Sequence, residues 1–494
     1  MSSSLALAFS RPSRPFSRPS RLADGSPDGS PDGNPDAGEA TPWCADPARR
    51  PDAIRPLLPV VGSELAAPLV TGGETRYANL DYAASAPALE AVCAYLQQVL
   101  PYYSSVHRGA GFASQVSTRL YESSRKAVGA FLGARPDDDV VVFTRNTTDA
   151  LNLLASAVPG NGDVIFLDAE HHANLLPWRG RAHRCVEVAH TLAGTVERLA
   201  DALRARPAAL VAVTGSSNVT GEILPIARIA ALAHAHGARI VVDAAQLAPH
   251  RRIDIAHLDI DYVALSGHKL YAPFGAGVLV GRRDWLDAAP AYLAGGGAVR
   301  EVGPEDTDWA PAPQRHEGGT PNVLGAAALA AACRAVAALP DGELEAHESA
   351  LRDRLVAGLR RLPGVELLEI WPDSPERIGV VSFVLDGFDS GRVAAYLSAE
   401  HGVGVRDGRF CAHPLLARLG REDGALRASL GLGSSSEDVD RLLAALETLI
   451  ADGEAWTYAV DGGRWAPCPD PRPTVEWLAD ADDRLGSGTS PCGS

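Results

Sequence analysis

The 494-residue sequence predicts an α/β protein built on a mostly parallel sheet. Two observations carry that prediction. Six short runs rich in β-branched apolar residues recur from residue 139 onward, each apolar continuously rather than alternately, which is the pattern of strands covered on both faces. The segments between the first five runs are long enough for the helical crossovers that parallel neighbours require.

In order, the runs are DVVVFT (139–144), DVIFLD (163–168), AALVAVTG (208–215), ARIVVDAA (238–245), YVALSG (262–267) and AGVLVG (276–281). The last follows its predecessor too closely for a helix between them, so it is expected to be the antiparallel member. YESSRKAVGAFL (121–132) reads as a polar-faced helix. VLGAAALAAACRAVAALP (323–340) is alanine-dominated and interrupted by Arg334, a core helix rather than a membrane span. Beyond about residue 335, EAHESALRDRLVAGLRRL (345–362) and SEDVDRLLAALETLI (436–450) read as helices flanking the strand-like GVVSFVLD (379–386) and GALRASLGLG (424–433).

These elements divide the chain into a large domain over 76–330, whose first part contributes to the smaller one, and a smaller α+β C-terminal domain over 335–455. The tail from 456 to 494 begins WTYAVDGGRWAPC and has no role that its residues suggest. Residues 1–55 are rich in Pro, Gly, Asp and Ser and are expected to be disordered, because such a segment cannot bury enough apolar surface to offset its ordering entropy.

A formal net charge of -16 gives a field that repels phosphate backbones, so nucleic acid is not an expected partner, and no membrane segment is expected either. The seven cysteines are odd in number and scattered, with no C-x-x-C pair, which suggests neither a disulfide framework nor a zinc site and fits a reducing, cytoplasmic setting. No metal is expected: a set made of His171, His172, Cys411 and His413 lacks any recognised ligand spacing.

In open α/β sheets ligands bind beyond the carboxyl ends of the strands. The residues there are RNTTD (145–149), EHHAN (170–174), SSNVTGE (216–222), then Asp243 and Gln246, then Ser266, His268 and Lys269. Lys269 belongs to LSGHKLYAPFGAG (265–277) and is one of only two lysines in the chain; the other, Lys126, lies on the polar-faced helix. Lysine forms Schiff bases, and a buried one also moves protons; arginine does neither. A lysine, a carboxylate for a pyridinium nitrogen and a phosphate cradle on one rim together suit pyridoxal phosphate.

With these motifs in this order, the sequence resembles the class V aminotransferase-fold enzymes from about residue 76 to 450, most closely the SUF-type cysteine desulfurases and selenocysteine lyases. The resemblance implies the fold type I architecture of pyridoxal-phosphate-dependent transferases. It implies that Lys269 holds the cofactor, Asp243 pairs with its ring nitrogen and Gln246 lies near its phenolic oxygen. His171 would stack on the ring, with Thr148, Ser266 and His268 at the phosphate, Thr147 also among the cofactor-binding residues and Asn218 beside substrate and cofactor. Thr320 in EGGTPN matches a residue that reaches the phosphate across a dimer interface, implying a homodimer.

Within GVRDGRFCAHPLL (404–416), Arg406, Gly408, Cys411, Ala412 and Pro414 match the family's R-x-G-x-x-C-A-x-P loop, which makes Cys411 the expected nucleophile. A free thiol has a pKa of about 8.5, and Arg406 and Arg409 offer positive charge to favour its thiolate. The departure is at Arg409 and Phe410, where SUF-type members usually carry histidines. Arg427 matches the arginine that holds the substrate α-carboxylate, a bidentate task suited to arginine, with Arg406 assisting. The implied activity removes sulfur, or selenium, from L-cysteine, or selenocysteine, through a Cys411 persulfide to give alanine, with a sulfur-acceptor protein as a further partner. Two alternatives stay open: another class V reaction (C–S lyase, epimerase or aminotransferase) in which Cys411 is not the nucleophile, and a non-catalytic member of the family.

Overall fold

In the computed structural model the described residues are 53–475, apart from 108, 161 and 474. All six predicted runs are strands: β1 (Asp139–Thr144), β2 (Asp163–Leu167), β4 (Ala208–Thr214), β5 (Arg239–Asp243), β6 (Tyr262–Ser266) and β7 (Gly277–Arg282). One further strand, β3 (His183–Val186), completes a seven-stranded sheet of order β1-β7-β6-β5-β4-β2-β3. β7 is antiparallel to both of its neighbours, and the other pairings are parallel. β3 escapes a reading of apolar runs because it is the sheet edge: its residues HRCV are exposed or half-buried, so selection for apolar side chains is weak there.

The continuous apolarity of the runs has a direct cause. Successive strand residues point to opposite faces. Val140, Val142, Val164, Phe166, Val241 and Ala264 enter one apolar core, whereas Val141, Ile165, Leu167, Val242 and Val263 enter another on the opposite face. Helices α1 (Phe112–Phe131) and α3 (Val323–Ala337) pack on the second face through residues such as Val128 and Leu329, and α2 (Thr147–Ala157) packs on the first through Leu151 and Leu154. Lys126 is exposed on α1, as a solvated helix lysine should be.

A second, antiparallel sheet of order β8-β9-β11-β10 follows, from strands β8 (Val365–Leu367), β9 (Val380–Leu385), β10 (Arg406–Gly408) and β11 (Ala425–Ser429). One face is covered by α4 (Glu343–Leu359), α5 (Ser390–His401) and α6 (Ser436–Asp452), with Phe383, Leu385, Leu355, Leu397 and Leu442 in a common core. Val70, Ala78 and Leu80 from the start of the described chain join that core. The other face meets the loop that follows β4: Ser382 is buried and its hydroxyl donates to Val219 O.

Of the expected disordered extension only 53–55 fall within the described residues. There Ile54 N donates to Ser436 Oγ (3.0 Å) and Ser436 N to Ile54 O (2.9 Å). The described part of the tail is a hairpin, β12 (Tyr458–Asp461) and β13 (Arg464–Pro467), seated on α5. Glu400 anchors it by accepting from Ala455 N, Trp456 N and Tyr458 OH. Among the described residues no helix is long and apolar enough to cross a membrane.

Candidate active site

The carboxyl ends of β4, β5 and β6 come to one rim because parallel register aligns them, with Thr214 paired to Asp243 and Asp243 to Ala264; β1 ends at the same rim because β7 lies antiparallel to both it and β6. A close approach completes the rim. Gly277, at the start of β7, pairs with Ser266 on one side and Thr144 on the other, and a Cβ there would lie 2.6 Å from Asn146 Cα and 2.8 Å from Leu265 O. Only glycine lets the 145–147 turn fold over β7. That turn brings Thr147 to Ser266: Thr147 N donates to Ser266 Oγ (2.8 Å), and the two hydroxyls lie 2.7 Å apart.

The rim opens on a cavity of about 350 Å³. Thr147, Thr148, His171, Asn218, Asp243, Gln246, Ser266, His268, Lys269, Arg406, Cys411 and Arg427 all line it. Thr320 does not; it is exposed on another loop. Thr147 and Thr148 open α2, whose positive N-terminal end favours an anion, and Asn146 caps the helix by accepting from Asp149 N (3.0 Å).

Lys269 is half-buried, with its amine enclosed enough that desolvation outweighs the pull of Asp243 and lowers its pKa to about 8. Burial raises the pKa of the Asp243 carboxyl, and the Ala245 N–H (2.9 Å to Oδ1) and Lys269 oppose that rise. His171 is driven down to about 3 by desolvation and by Lys269; its Nδ1 accepts from Ala173 N (3.0 Å), so the neutral ring carries its proton on Nε2. Burial and Lys269 also lower the His268 pKa. Gln246 Nε2 donates to Ala83 O (2.8 Å), which orients that side chain at the cavity wall.

The second sheet supplies the facing wall. Arg406 on β10 and Arg427 on β11 are direct cross-strand partners. Arg427 is 3 % exposed, and it donates from Nη1 to Asn218 O (2.9 Å) and from Nη2 to Asp81 Oδ1 (3.1 Å). The Phe410 ring covers its guanidinium at 5.1 Å. Cys411 is exposed at the cavity, and Phe410 and Cys411 both have left-handed backbone (φ 51° and 53°), a conformation that costs energy for non-glycine residues. Two hydrogen bonds hold that loop: Asn218 Nδ2 to Phe410 O (2.8 Å) and His172 N to Cys411 O (2.9 Å). His172 and His413 stack edge to face beside it (4.6 Å), yet among the described residues no group of three or more His, Cys, Asp or Glu is placed to hold a metal.

Asp81 and Phe410 have places in this site that reading the motifs did not assign. Phe410 stood out only as a departure from the family loop. Asp81, in NLDYAAS, lies 346 residues from its arginine and follows none of the rim strands.

A parallel sheet with a lysine, a buried carboxylate and a helix N-terminus on one rim, faced by two arginines, defines a pyridoxal-phosphate enzyme of the aminotransferase type. The aminotransferase class-V family model matches residues 78–442, and the chain belongs to that family. It is 37% identical over 386 residues to a cysteine desulfurase of Dickeya dadantii (strain 3937), covering 75% of this chain and 92% of that protein. It is 39% identical over 357 residues to a probable cysteine desulfurase 2 of Mycobacterium leprae (strain TN), covering 69% and 84%. The apo structure of a cysteine desulfurase from Thermococcus onnurineus NA1 is similar with a TM-score of 0.70 and 33% identity, over 76% of this chain and 94% of that one.

The residues present fit the cofactor of this family. A buried carboxylate at Asp243 suits a protonated ring nitrogen, the α2 N-terminus with Thr148 suits a phosphate, and Lys269 carries an amine with its pKa lowered to about 8.

Proposed function

We propose that the protein is a cysteine desulfurase, taking sulfur from L-cysteine onto Cys411 and releasing L-alanine. The observation that carries this reading is that Lys269, Arg427 and Cys411 line a single cavity although Lys269 follows β6 of the large sheet, Arg427 lies on β11 of the second sheet and Cys411 lies in the connection between β10 and β11. Bound pyridoxal phosphate supplies the electron sink that loosens the bonds around the substrate α- and β-carbons.

The chain's own residues then have distinct tasks. Lys269 holds the cofactor, and as a free amine with a lowered pKa it takes the α-proton. With the cofactor bound, Asp243 would keep the ring nitrogen protonated, His171 would stack on the ring, and Thr147, Thr148, Ser266 and His268 would hold the phosphate. Arg427, assisted by Arg406, anchors the α-carboxylate. The Cys411 thiolate attacks the substrate sulfur: an S–S bond forms, the C–S bond breaks with its electrons left on carbon, and that carbon is protonated on the way to alanine. Asn218 and His172 hold the Cys411 loop in the cavity through the backbone hydrogen bonds they make to it.

The rest of the reading has separate support. A homodimer is supported by the loop of Thr320, which contacts the backbone of Phe274 and Leu293, two exposed large apolar residues (63% and 51%). The exposure of Cys411 suits hand-over of sulfur to an acceptor protein. The free thiols of Cys93, Cys185, Cys333, Cys411 and Cys468 suit a reducing, cytoplasmic setting. A cofactor-binding part over 76–330 and a smaller part over 335–455 are supported by the two sheets, although residues of the second part such as Trp371 and Leu415 also join the core of the large sheet.

The test is to incubate the holoenzyme with L-cysteine and a thiol reductant and quantify sulfide and alanine. Wild type is expected to yield them in equal amounts, and Cys411→Ser to keep the yellow cofactor complex while losing sulfide. Full sulfide release by the variant, with pyruvate in place of alanine, would replace this reading with a C–S lyase.

A further inference from the structure

Arg427 is buried with unused hydrogen-bonding capacity. Of its five N–H bonds, the protein provides acceptors for one on Nη1 (Asn218 O) and one on Nη2 (Asp81 Oδ1), and Nε has no partner. Its cross-strand partner is a second arginine, Arg406. Like charges directly opposite each other on a sheet destabilise it, and a buried guanidinium is costly without an anion. Within the protein, Asp81 is the anion beside Arg427. It is half-buried, and it reaches the guanidinium from the segment before Ala83 and Ala84, both of which line the cavity.

We propose that Asp81 is a positioning residue for the substrate: it holds the Arg427 guanidinium in place through Nη2 and partly neutralises it until the amino-acid carboxylate arrives. This rests on the reading that Arg427 anchors that carboxylate. The two parts of the role act in opposite directions. The hydrogen bond favours substrate binding by orienting the arginine, and the negative charge disfavours it by repelling a second carboxylate. The Arg427 side chain is 4% exposed and that of Asp81 24%, so the pair is partly shielded from water; burial raises the Asp81 pKa and Arg427 opposes that rise.

Two substitutions separate the parts. Asp81→Asn keeps an oxygen acceptor and removes the charge, so the KM for L-cysteine should fall by roughly three- to tenfold. Asp81→Ala removes both, so KM should rise by about tenfold as the arginine loses its orientation. A second readout needs no turnover: the L-alanine concentration that half-saturates thermal stabilisation of each holoenzyme should move in the same directions. Shifts of the same sign in both variants, or no shift in either, would overturn the proposal. Arg427→Ala is the control for the underlying reading. If it is stabilised by L-alanine at the wild-type concentration, Arg427 is not the carboxylate anchor and both ideas fall. If it loses that response while the Asp81 variants behave alike, only the role of Asp81 falls.

Discussion

Arg406 and Arg427 stand directly opposite each other on antiparallel strands and line the same cavity. Two like charges at such a position weaken a sheet, so their pairing makes sense as a site built for an anion rather than as part of the scaffold. The α-carboxylate of an amino acid is an anion of the right size for a guanidinium fork.

The first prediction separates the two arginines. Arg427→Lys should raise the KM for L-cysteine by about a hundredfold, since a buried bidentate pair becomes a single contact. Arg406→Lys, at an exposed position, should cost about tenfold or less. Steady-state kinetics on the two holoenzymes compare them directly, and equal losses would contradict the ranking.

The second concerns pH. Only the neutral amine of Lys269 can bond to the cofactor, and its pKa lies at about 8. Capture of pyridoxal phosphate by the apoprotein should therefore accelerate about tenfold per pH unit up to that value and level off above it. The rise of yellow absorbance after mixing reports the rate. An ordinary lysine would keep accelerating beyond pH 9. The apoprotein should also lose stability as pH falls from the usual lysine range to about 8, because there the unfolded chain binds a proton that the folded one does not.

Gly277→Ala should act at a distance from the lysine. Its Cβ would collide with the Asn146 backbone and Leu265 O, pushing the α2 N-terminus away from Ser266. The expected result is a loss of about 1–3 kcal/mol of stability and pyridoxal phosphate binding weaker by about tenfold or more. Thermal melts and a cofactor titration measure the two effects.

Phe383→Ala tests the second core. Phe383 is 0% exposed on β9, and its removal should cost about 3–5 kcal/mol in urea unfolding monitored by circular dichroism. The lining residues of the cavity from the large sheet are untouched, so cofactor binding at low denaturant should survive.

The legible part of this fold is the part where local sequence and environment agree. Strands with both faces covered must be apolar throughout, so β1, β2, β4, β5, β6 and β7 stand out, and β3 at the edge does not. The rim residues were legible for a related reason: a parallel sheet sends every strand end to one side, so Thr148, His171, Asp243 and Lys269 could be collected from their places after strands. Thr320, found by motif alone, stays outside the cavity of its own chain.

The sequence by itself determined which chemical groups the molecule carries and the order in which a parallel sheet delivers them, because strand patterning is local. Only the tertiary structure decided that Arg427 faces Arg406, that Asp81 meets it from 346 residues away, that Phe410 covers it, and that Lys269 has its pKa lowered to about 8. Those facts depend on desolvation and on charges brought together by packing, and both are set by neighbours in space rather than neighbours in sequence.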